Sequence, residues 1–385
     1  MMIVAMEPLK PETPAELAEA LATAAGRRRT ISLDGAGTKA RMHGGGEPAA
    51  VAITTAGLNR IIEYEPRDLT ISVEAGCRFA GLAEQVAGDG LMLPLDPPFF
   101  SEATMGGTVA ANVSGPRRRQ FGAARDLLIG VEFATIEGKL VQSGGMVVKN
   151  AAGLDMGKLM VGSHGTLAAI TVLNFRLSPK PPRTRTFVFR HDVLEDAWRS
   201  RDRLTGGALQ PAAVDLLNPA AAARVGLTGY VVAAQAAGSA AVVDRYTHDL
   251  PDADTLDGDA ETGWWEKIRE FVPGFLTAAP GGAVVRLSTT LSGVADALAT
   301  LEVPVIARAG SGVLYACFEE GEEACRWVAA AAARGLNAVV EYVPQAGCDG
   351  ERWPLPGGDF AMIERIKRMF DPDRLLNRGR LYGRL

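Results

Sequence analysis

The apolar positions along this chain change period several times, and each change marks an element. Thr13 and Pro14 suit a helix cap and a first helical position, and Leu17 and Leu21 share one face, so a helix is predicted over Ala15–Ala25. Strand-like runs follow at Arg27–Leu33, Val51–Thr54 and Leu69–Val73. Helical spacing returns at Phe79–Ala87, with Leu82 and Val86 on one side and Gly88 to Gly90 ending it. Leu127–Thr135 alternates as a strand, Glu137-Gly138-Lys139 turns the chain, Leu140–Ser143 returns as a hairpin partner, and Leu167–Phe175 reads as a further strand. Short strands alternating with single helices predict an α+β domain.

Prolines crowd Ser178-Pro179-Lys180-Pro181-Pro182-Arg183 and stiffen a link there. Beyond it, strands are predicted at Thr186–Phe189, Ala213–Leu217, Gly229–Gln235, Val284–Ser288, Val303–Ile306, Val313–Phe318 and Ala338–Tyr342. Helices are predicted at Val193–Leu204, Trp264–Phe271, Val294–Leu301 and Glu322–Arg334. This is a second α+β layer, an antiparallel sheet with helices on one face. The expected organisation is therefore 1–178, 179–370 and a closing segment 371–385.

Three stretches withhold the bulk that a packed core wants. The first is Asp34-Gly35-Ala36-Gly37-Thr38-Lys39, whose glycines, hydroxyl and ammonium suit either a phosphate-binding turn or an ordinary hairpin loop. It has no Walker lysine context and no G-x-G-x-x-G opening a helix, which excludes a P-loop NTPase and a Rossmann fold. The second runs from Pro94 to Arg119, with Thr104, Met105, Gly106-Gly107 and small residues leading to Asn112, Ser114 and Gly115. The third holds Ser143-Gly144-Gly145, Lys149-Asn150-Ala151-Ala152-Gly153-Leu154-Asp155 and Gly162-Ser163-His164-Gly165. Each cluster alone reads as turns; together they leave room for a ligand that no side chain fills.

Composition narrows the classes. A length of 385 residues favours two domains, and 47% hydrophobic with 22% charged residues is ordinary for a globular protein. A net charge of -5 gives no electrostatic footprint for nucleic acid or an anionic membrane. Cys77, Cys317, Cys325 and Cys348 lack the spacing of a metal or iron–sulfur site and read as reduced, cytoplasmic thiols; no metal is expected. No apolar run approaches the roughly 18 residues that span a bilayer, so any place on the inner membrane would come through partner subunits.

The order D-G-A-G-T-K, then A-T-M-G-G-T-V-A-A-N-x-S-G-P-R-R, then V-V-K-N-A-A-G-L-D-M and V-G-S-H-G-T-L-A-A-I-T resembles the PCMH-type FAD-binding domain of the vanillyl-alcohol oxidase and cresol methylhydroxylase superfamily. Within it the wording is most similar to the flavin subunits of bacterial glycolate oxidase. The resemblance implies a two-part FAD-binding domain followed by a cap that covers the flavin and holds substrate. It implies that Gly35, Ala36, Gly37, Thr38 and Lys39 hold the pyrophosphate. Thr104 to Gly107, with Asn112 and Ser114, would line the isoalloxazine and phosphates, and Gly162, Ser163 and Gly165 with Ile170 would close the ribityl and adenine side. Pro94, Gly115, Lys149, Asn150, Gly153 and Asp155 are counted with them. Covalent members attach flavin through a histidine near the first loop; this loop carries Thr38-Lys39 with His43 just beyond, so a non-covalent FAD is expected, with a bond to His43 as the alternative. Leu154 stands where relatives usually have tyrosine.

Oxidising a 2-hydroxy acid requires a cation for the carboxylate and a base for the hydroxyl. Arg286, in a similar R-L-S strand of the family, is the first choice for the cation, against a paired surface charge; Arg308, Glu341 and Tyr342 are weaker candidates. His164 either touches flavin or fills its turn. His191 and His248 are too few for a metal site, and Trp264-Trp265 read as core or partner contacts. The tail resembles a closing D-P-x-x-x-L-N-P-G-R segment, with Arg378 in place of proline, which implies that Asn377 and Arg380 approach the flavin and that a positive charge there stabilises its reduced form. The implied partners are a larger paralogous flavin subunit and an iron–sulfur subunit, with a small 2-hydroxy acid such as glycolate as substrate. The competing readings are an assembly subunit with structural FAD and a self-contained alcohol oxidase.

Overall fold

The computed structural model describes residues 7–44, 46–146, 155–344 and 350–385. The chain divides into two compact units, one of Met1–Ser114, Ala123–Lys180 and Pro356–Leu385, the other of Gly115–Gly122 and Pro181–Leu355. The division between Lys180 and Pro181 falls inside the proline-crowded run. The other boundaries differ from the expected ones. Residues 356–370 belong to the first unit together with the tail, not to the cap, because Ile366 and Phe370 of the helix Phe360–Phe370 pack against the first unit's core. Gly115–Gly122 belongs to the second unit, where Arg119 Nε donates to the Pro211 carbonyl at 3.2 Å.

In the first unit, the helix Pro14–Gly26 starts as its cap predicts, with Thr13 Oγ1 accepting from the Glu16 N–H at 3.2 Å. Leu17 and Leu21 are fully buried against Ile31, Ile53 and Leu376. Burial of each such leucine contributes roughly 1.5–3 kcal/mol. The following strand is shorter than expected, Ile31–Asp34, because Arg28 turns the chain at φ 50°. It pairs in parallel with Val51–Thr54. A five-stranded antiparallel sheet, in the order Ile61–Glu65, Thr70–Glu74, Ala169–Arg176, Leu128–Ala134, Leu140–Gly144, carries the main core. Val73, Leu173, Phe175, Val131 and Phe133 meet Phe79, Leu82 and Val86 of the helix Phe79–Ala87 there.

The glycine-rich stretch is not a bare loop. Met105–Ala110 forms a short helix despite the low propensity of Gly106-Gly107, because Thr104 Oγ1 accepts from the Gly107 N–H and Met105 and Val109 are buried.

The second unit is an eight-stranded antiparallel sheet in the order Asp254–Leu256, Arg183–His191, Tyr230–Gly238, Ala213–Leu217, Val305–Arg308, Val313–Phe318, Ala283–Ser288, Asn337–Tyr342. Phe187, Val214, Leu216, Val232, Val285, Leu287, Leu314 and Val340 form its core face, packed with residues of the helices Leu194–Gly206, Ala240–Asp249, Val294–Ala299 and Gly321–Ala333. A further helix, Gly258–Arg269, lies on the opposite face, where Glu261 accepts from the Thr184 and Thr186 hydroxyls at 2.6 and 3.0 Å. Trp265 Nε1 donates to Thr186 Oγ1 at 2.7 Å and Trp264 is buried, so both tryptophans are structural here.

Cys325 is disulfide-bonded, which corrects the reading of all four cysteines as reduced; its sequence spacing carries no trace of that geometry. Cys77 and Cys317 are free and buried, and burial pushes their thiols up to about 11 and about 12. Among the described residues no helix is long and apolar enough to cross a membrane.

The tail is held by a fully buried ion pair, Lys367 Nζ to Asp371 Oδ2 at 2.6 Å. Removing one partner strands the other's charge in the core, so Lys367→Met is expected to destabilise the fold by about 3–5 kcal/mol. Urea unfolding checks this: the midpoint falls, and the double variant Lys367→Met/Asp371→Leu recovers much of the loss. An unchanged midpoint in the single variant contradicts it.

Candidate functional site

The strand Ile31–Asp34 ends where the chain turns through Gly35–Lys39, and this turn forms one wall of a cleft in the first unit. The short helix brings Thr104, Gly106, Gly107, Ala110 and Ala111 to a second wall. His164, Gly165, Ala168 and Ile170 form a third, and Arg380 closes the side from the tail. The space measures about 670 Å³ with its open mouth, within the range of cofactor sites. Thus the three small-residue clusters and the tail converge.

The glycines do two different things. A Cβ on Gly35 would lie 2.3 Å from Thr104 Oγ1, and one on Gly106 would lie 2.7 Å from the Ala75 Cβ. Those two glycines weld walls together. Gly37 is different: its φ is 71° and nothing lies within 4 Å of the Cβ position, so the loop leaves open space there.

Charge is concentrated on the same walls. Lys39 is 7% exposed, with Nζ 3.2 Å from Thr38 Oγ1, and Arg380 Nη2 donates to the Lys39 carbonyl at 2.7 Å. Burial lowers the Arg380 pKa, and the nearby Asp34 carboxylate opposes that shift. Two cations, small residues and the apolar Met42, Ala75, Ala168 and Ile170 suit a ligand with a diphosphate and flat rings.

Other expected contacts lie elsewhere. Met105 sits in the hydrophobic core with its N–H on the Cys77 carbonyl, and Asp155 is an exposed helix cap paired with Lys158 at 3.0 Å. Asn377 spends its amide on backbone: Oδ1 accepts from Leu33 N–H at 2.7 Å, and Nδ2 donates to Leu33 and His164 carbonyls at 3.1 and 2.9 Å. It shapes the cleft without lining it. Pro94, Asn112, Ser114, Gly162 and Ser163 do not line the cleft either, and Gly115 belongs to the second unit. Lys149, Asn150 and Gly153 lie outside the described residues. Sequence reasoning missed Asp34, Met42, Thr55, Ala75, Ala110, Ala111 and Ala168, which line the cleft. Only Asp34, preceding the glycines, carried a signal.

A family profile described as an FAD binding domain matches residues 9–153. Residues 9–153 are an FAD-binding domain. The protein is a flavoprotein of PCMH-type α+β fold. The glycolate oxidase subunit GlcE of Escherichia coli (strain K12) is 27% identical over 339 residues, 84% of this chain and 85% of that one. The glycolate oxidase subunit GlcD of Bacillus subtilis (strain 168) is 30% identical over 42% of this chain. The D-lactate dehydrogenase of Anaerostipes hadrus is 29% identical over 43%. The chain spans only about a third of the length of those last two, 34% and 35%. A solved alkyldihydroxyacetonephosphate synthase shares the fold, with a TM-score of 0.69 at 15% identity over 96% of this chain and 75% of that one. In the first unit, then, the Gly35–Lys39 turn, Arg380 and the apolar wall fit the cofactor.

The second unit holds its own polar constellation. Arg286 donates through Nε to Glu341 and through Nη1 to Ser288 Oγ at 2.9 Å, and Tyr315 stands directly opposite it in register. Arg308 pairs with the buried Asp215. Burial raises the Glu341 pKa against Arg286, and raises that of Tyr315 against Arg308, Arg286 and Arg118. His191 bonds to Ser200 at 2.9 Å on a strand five places from Arg286, about 24 Å at ordinary strand spacing. It cannot act with that arginine.

Gly37→Ala tests the cradle. The methyl group enters open space and the left-handed backbone costs about 1–2 kcal/mol, so the protein stays folded while FAD affinity falls at least about tenfold. Fluorescence titration with FAD and a parallel thermal melt separate the two effects; native affinity in the variant contradicts this use of Gly37.

Proposed function

We propose that this chain is the flavin-bearing subunit of a glycolate oxidase complex, oxidising glycolate or a similar small 2-hydroxy acid. The observation that carries the reading is the extent of similarity to GlcE, which continues through both units, while similarity to GlcD and the lactate dehydrogenase covers less than half of the chain. Bound FAD, held non-covalently, supplies the two-electron acceptor.

In this reading Arg286 binds the substrate carboxylate, held in orientation by Glu341 and Ser288. Burial raises the Glu341 pKa, and the Arg286 charge and hydrogen bond oppose that shift. Tyr315, between Arg286 and Arg308 on the same face, accepts a hydrogen bond from the substrate hydroxyl. Electrons then leave to an iron–sulfur subunit, with a larger paralogous flavin subunit in the same complex. The complex is cytoplasmic, and reaches the inner membrane through those partners.

One observation favours a second reading, an assembly subunit with structural FAD. The cap's best-placed cations already have carboxylate partners, Arg286 with Glu341 and Arg308 with Asp215. Anaerobic addition of glycolate to the purified chain discriminates. Prompt bleaching of the flavin is expected, and Arg286→Met raises KM by roughly 10–100-fold with the flavin content unchanged, the loss of a charged hydrogen bond of about 1.5–3 kcal/mol. A yellow chain that glycolate leaves unreduced supports the assembly reading, and a colourless chain that takes up no FAD overturns both.

A further inference from the structure

His164 lines the cofactor cleft, and its ring does not stand alone. The buried His43 ring packs edge-on against it with centroids 4.0 Å apart, and Tyr382 of the tail packs edge-on with the same His43 ring at 4.2 Å. All three residues hold left-handed backbone, with φ of 52°, 57° and 53°. Non-glycine residues adopt that conformation at a cost, and such residues cluster where surrounding structure fixes a functional geometry. Three separate segments thus bring two imidazoles and a phenol to one wall.

The charges of this cleft leave a deficit. Among its lining side chains Lys39 and Arg380 face one carboxylate, Asp34, a surplus of one positive charge. A diphosphate carries two negative charges. Arg41, two residues from His43, is half-buried and remains charged, and it is not among the residues that line the cleft. With the cofactor in place, one more positive charge balances the cleft, and an imidazole is the side chain able to supply it near neutral pH.

Resting on the FAD-binding reading, we propose that the His43–His164 pair takes up one proton when the cofactor binds, making His164 a proton-dependent ligand of the diphosphate. Lys39 and Arg380 disfavour a charged imidazole before binding; the incoming anion reverses that balance. The imidazole pKa is therefore higher in the complex than in the empty cleft. The added affinity is complete below the lower of these two values and is lost as pH rises through the higher. Between them the dissociation constant rises about tenfold per pH unit, one proton's worth.

Dissociation of FAD from the full-length holoprotein, followed by the fluorescence of released flavin from acid to alkaline pH, is the test. The expected result is a rising segment of about tenfold per unit that flattens in His164→Gln, which keeps a hydrogen-bonding side chain but cannot titrate. His43→Gln is expected to reduce the slope as well. Since the chain has only four histidines, their NMR titrations in the native protein with and without FAD give a readout that needs no variant. One imidazole from this pair should titrate higher with cofactor present. A flat native profile, a slope unchanged in both variants, flavin that never dissociates, or a titration carried by His191 or His248 overturns the proposal. Failure to bind FAD at any pH overturns it together with the flavin reading, whereas pH-independent binding overturns the proposal alone.

Discussion

Lys367 is the point on which the flavin domain closes. Its ammonium is 1% exposed and makes three bonds, to Asp371 at 2.6 Å and to the carbonyls of Thr166 and Leu376 at 2.7 and 3.0 Å. Asp371 in turn accepts from the backbone N–H groups of Leu375 and Leu376 at 2.9 and 2.8 Å. A buried pair with all its bonding capacity met contributes less than its Coulomb attraction would indicate, because desolvation offsets much of it. What it gives here is placement. Leu376 bridges to Ile31, and Asn377 ties Leu33 to the His164 carbonyl. Arg380 then reaches the cleft only because everything before it is fixed.

That dependence explains what could be read from the sequence and what could not. The glycine clusters were legible because missing bulk is a local property, and Gly35 to Lys39, Gly106-Gly107 and Gly165 do converge on one cleft. The role of individual glycines was not legible. Gly35 and Gly106 are required by the close approach of Thr104 and Ala75, residues distant in sequence. Asn377 was expected to meet the flavin, yet its amide is used up by backbone groups on two other segments. Residues 360–370 were counted with the cap and no helix was read there; the helix Phe360–Phe370 packs instead on the first unit's core, a long-range contact that local spacing does not show. The missed helix Met105–Ala110 is a case of tertiary burial overriding propensity.

The second unit shows the complementary difficulty. Alternation placed most of its strands, since a residue's parity decides its face. Parity also put Arg286, Tyr315, Arg308 and Asp215 on the face away from Val285, Leu287, Leu314 and Val214. Their pairing was invisible in a single chain of letters. Arg286 and Glu341 are 55 residues apart, and Arg308 and Asp215 are 93 apart. Burying two such pairs on one sheet face is expensive compared with apolar packing. Retaining them leaves this face polar at a cost in stability.

Strain and charge meet at the cofactor wall. His43, His164, Asn377 and Tyr382 all hold left-handed backbone, and each either belongs to or is tied to the tail and the His164 turn. Conformations of this kind persist only where neighbouring contacts over-determine them. The Lys367–Asp371 clamp and the Asn377 amide are such contacts, so the shape of the cleft is maintained from the tail as well as by the Gly35–Lys39 turn. The cofactor then acts on a wall already set. Binding to the folded form alone adds stability that grows with the logarithm of cofactor concentration over its dissociation constant. Folding of the first unit and retention of FAD are thereby linked.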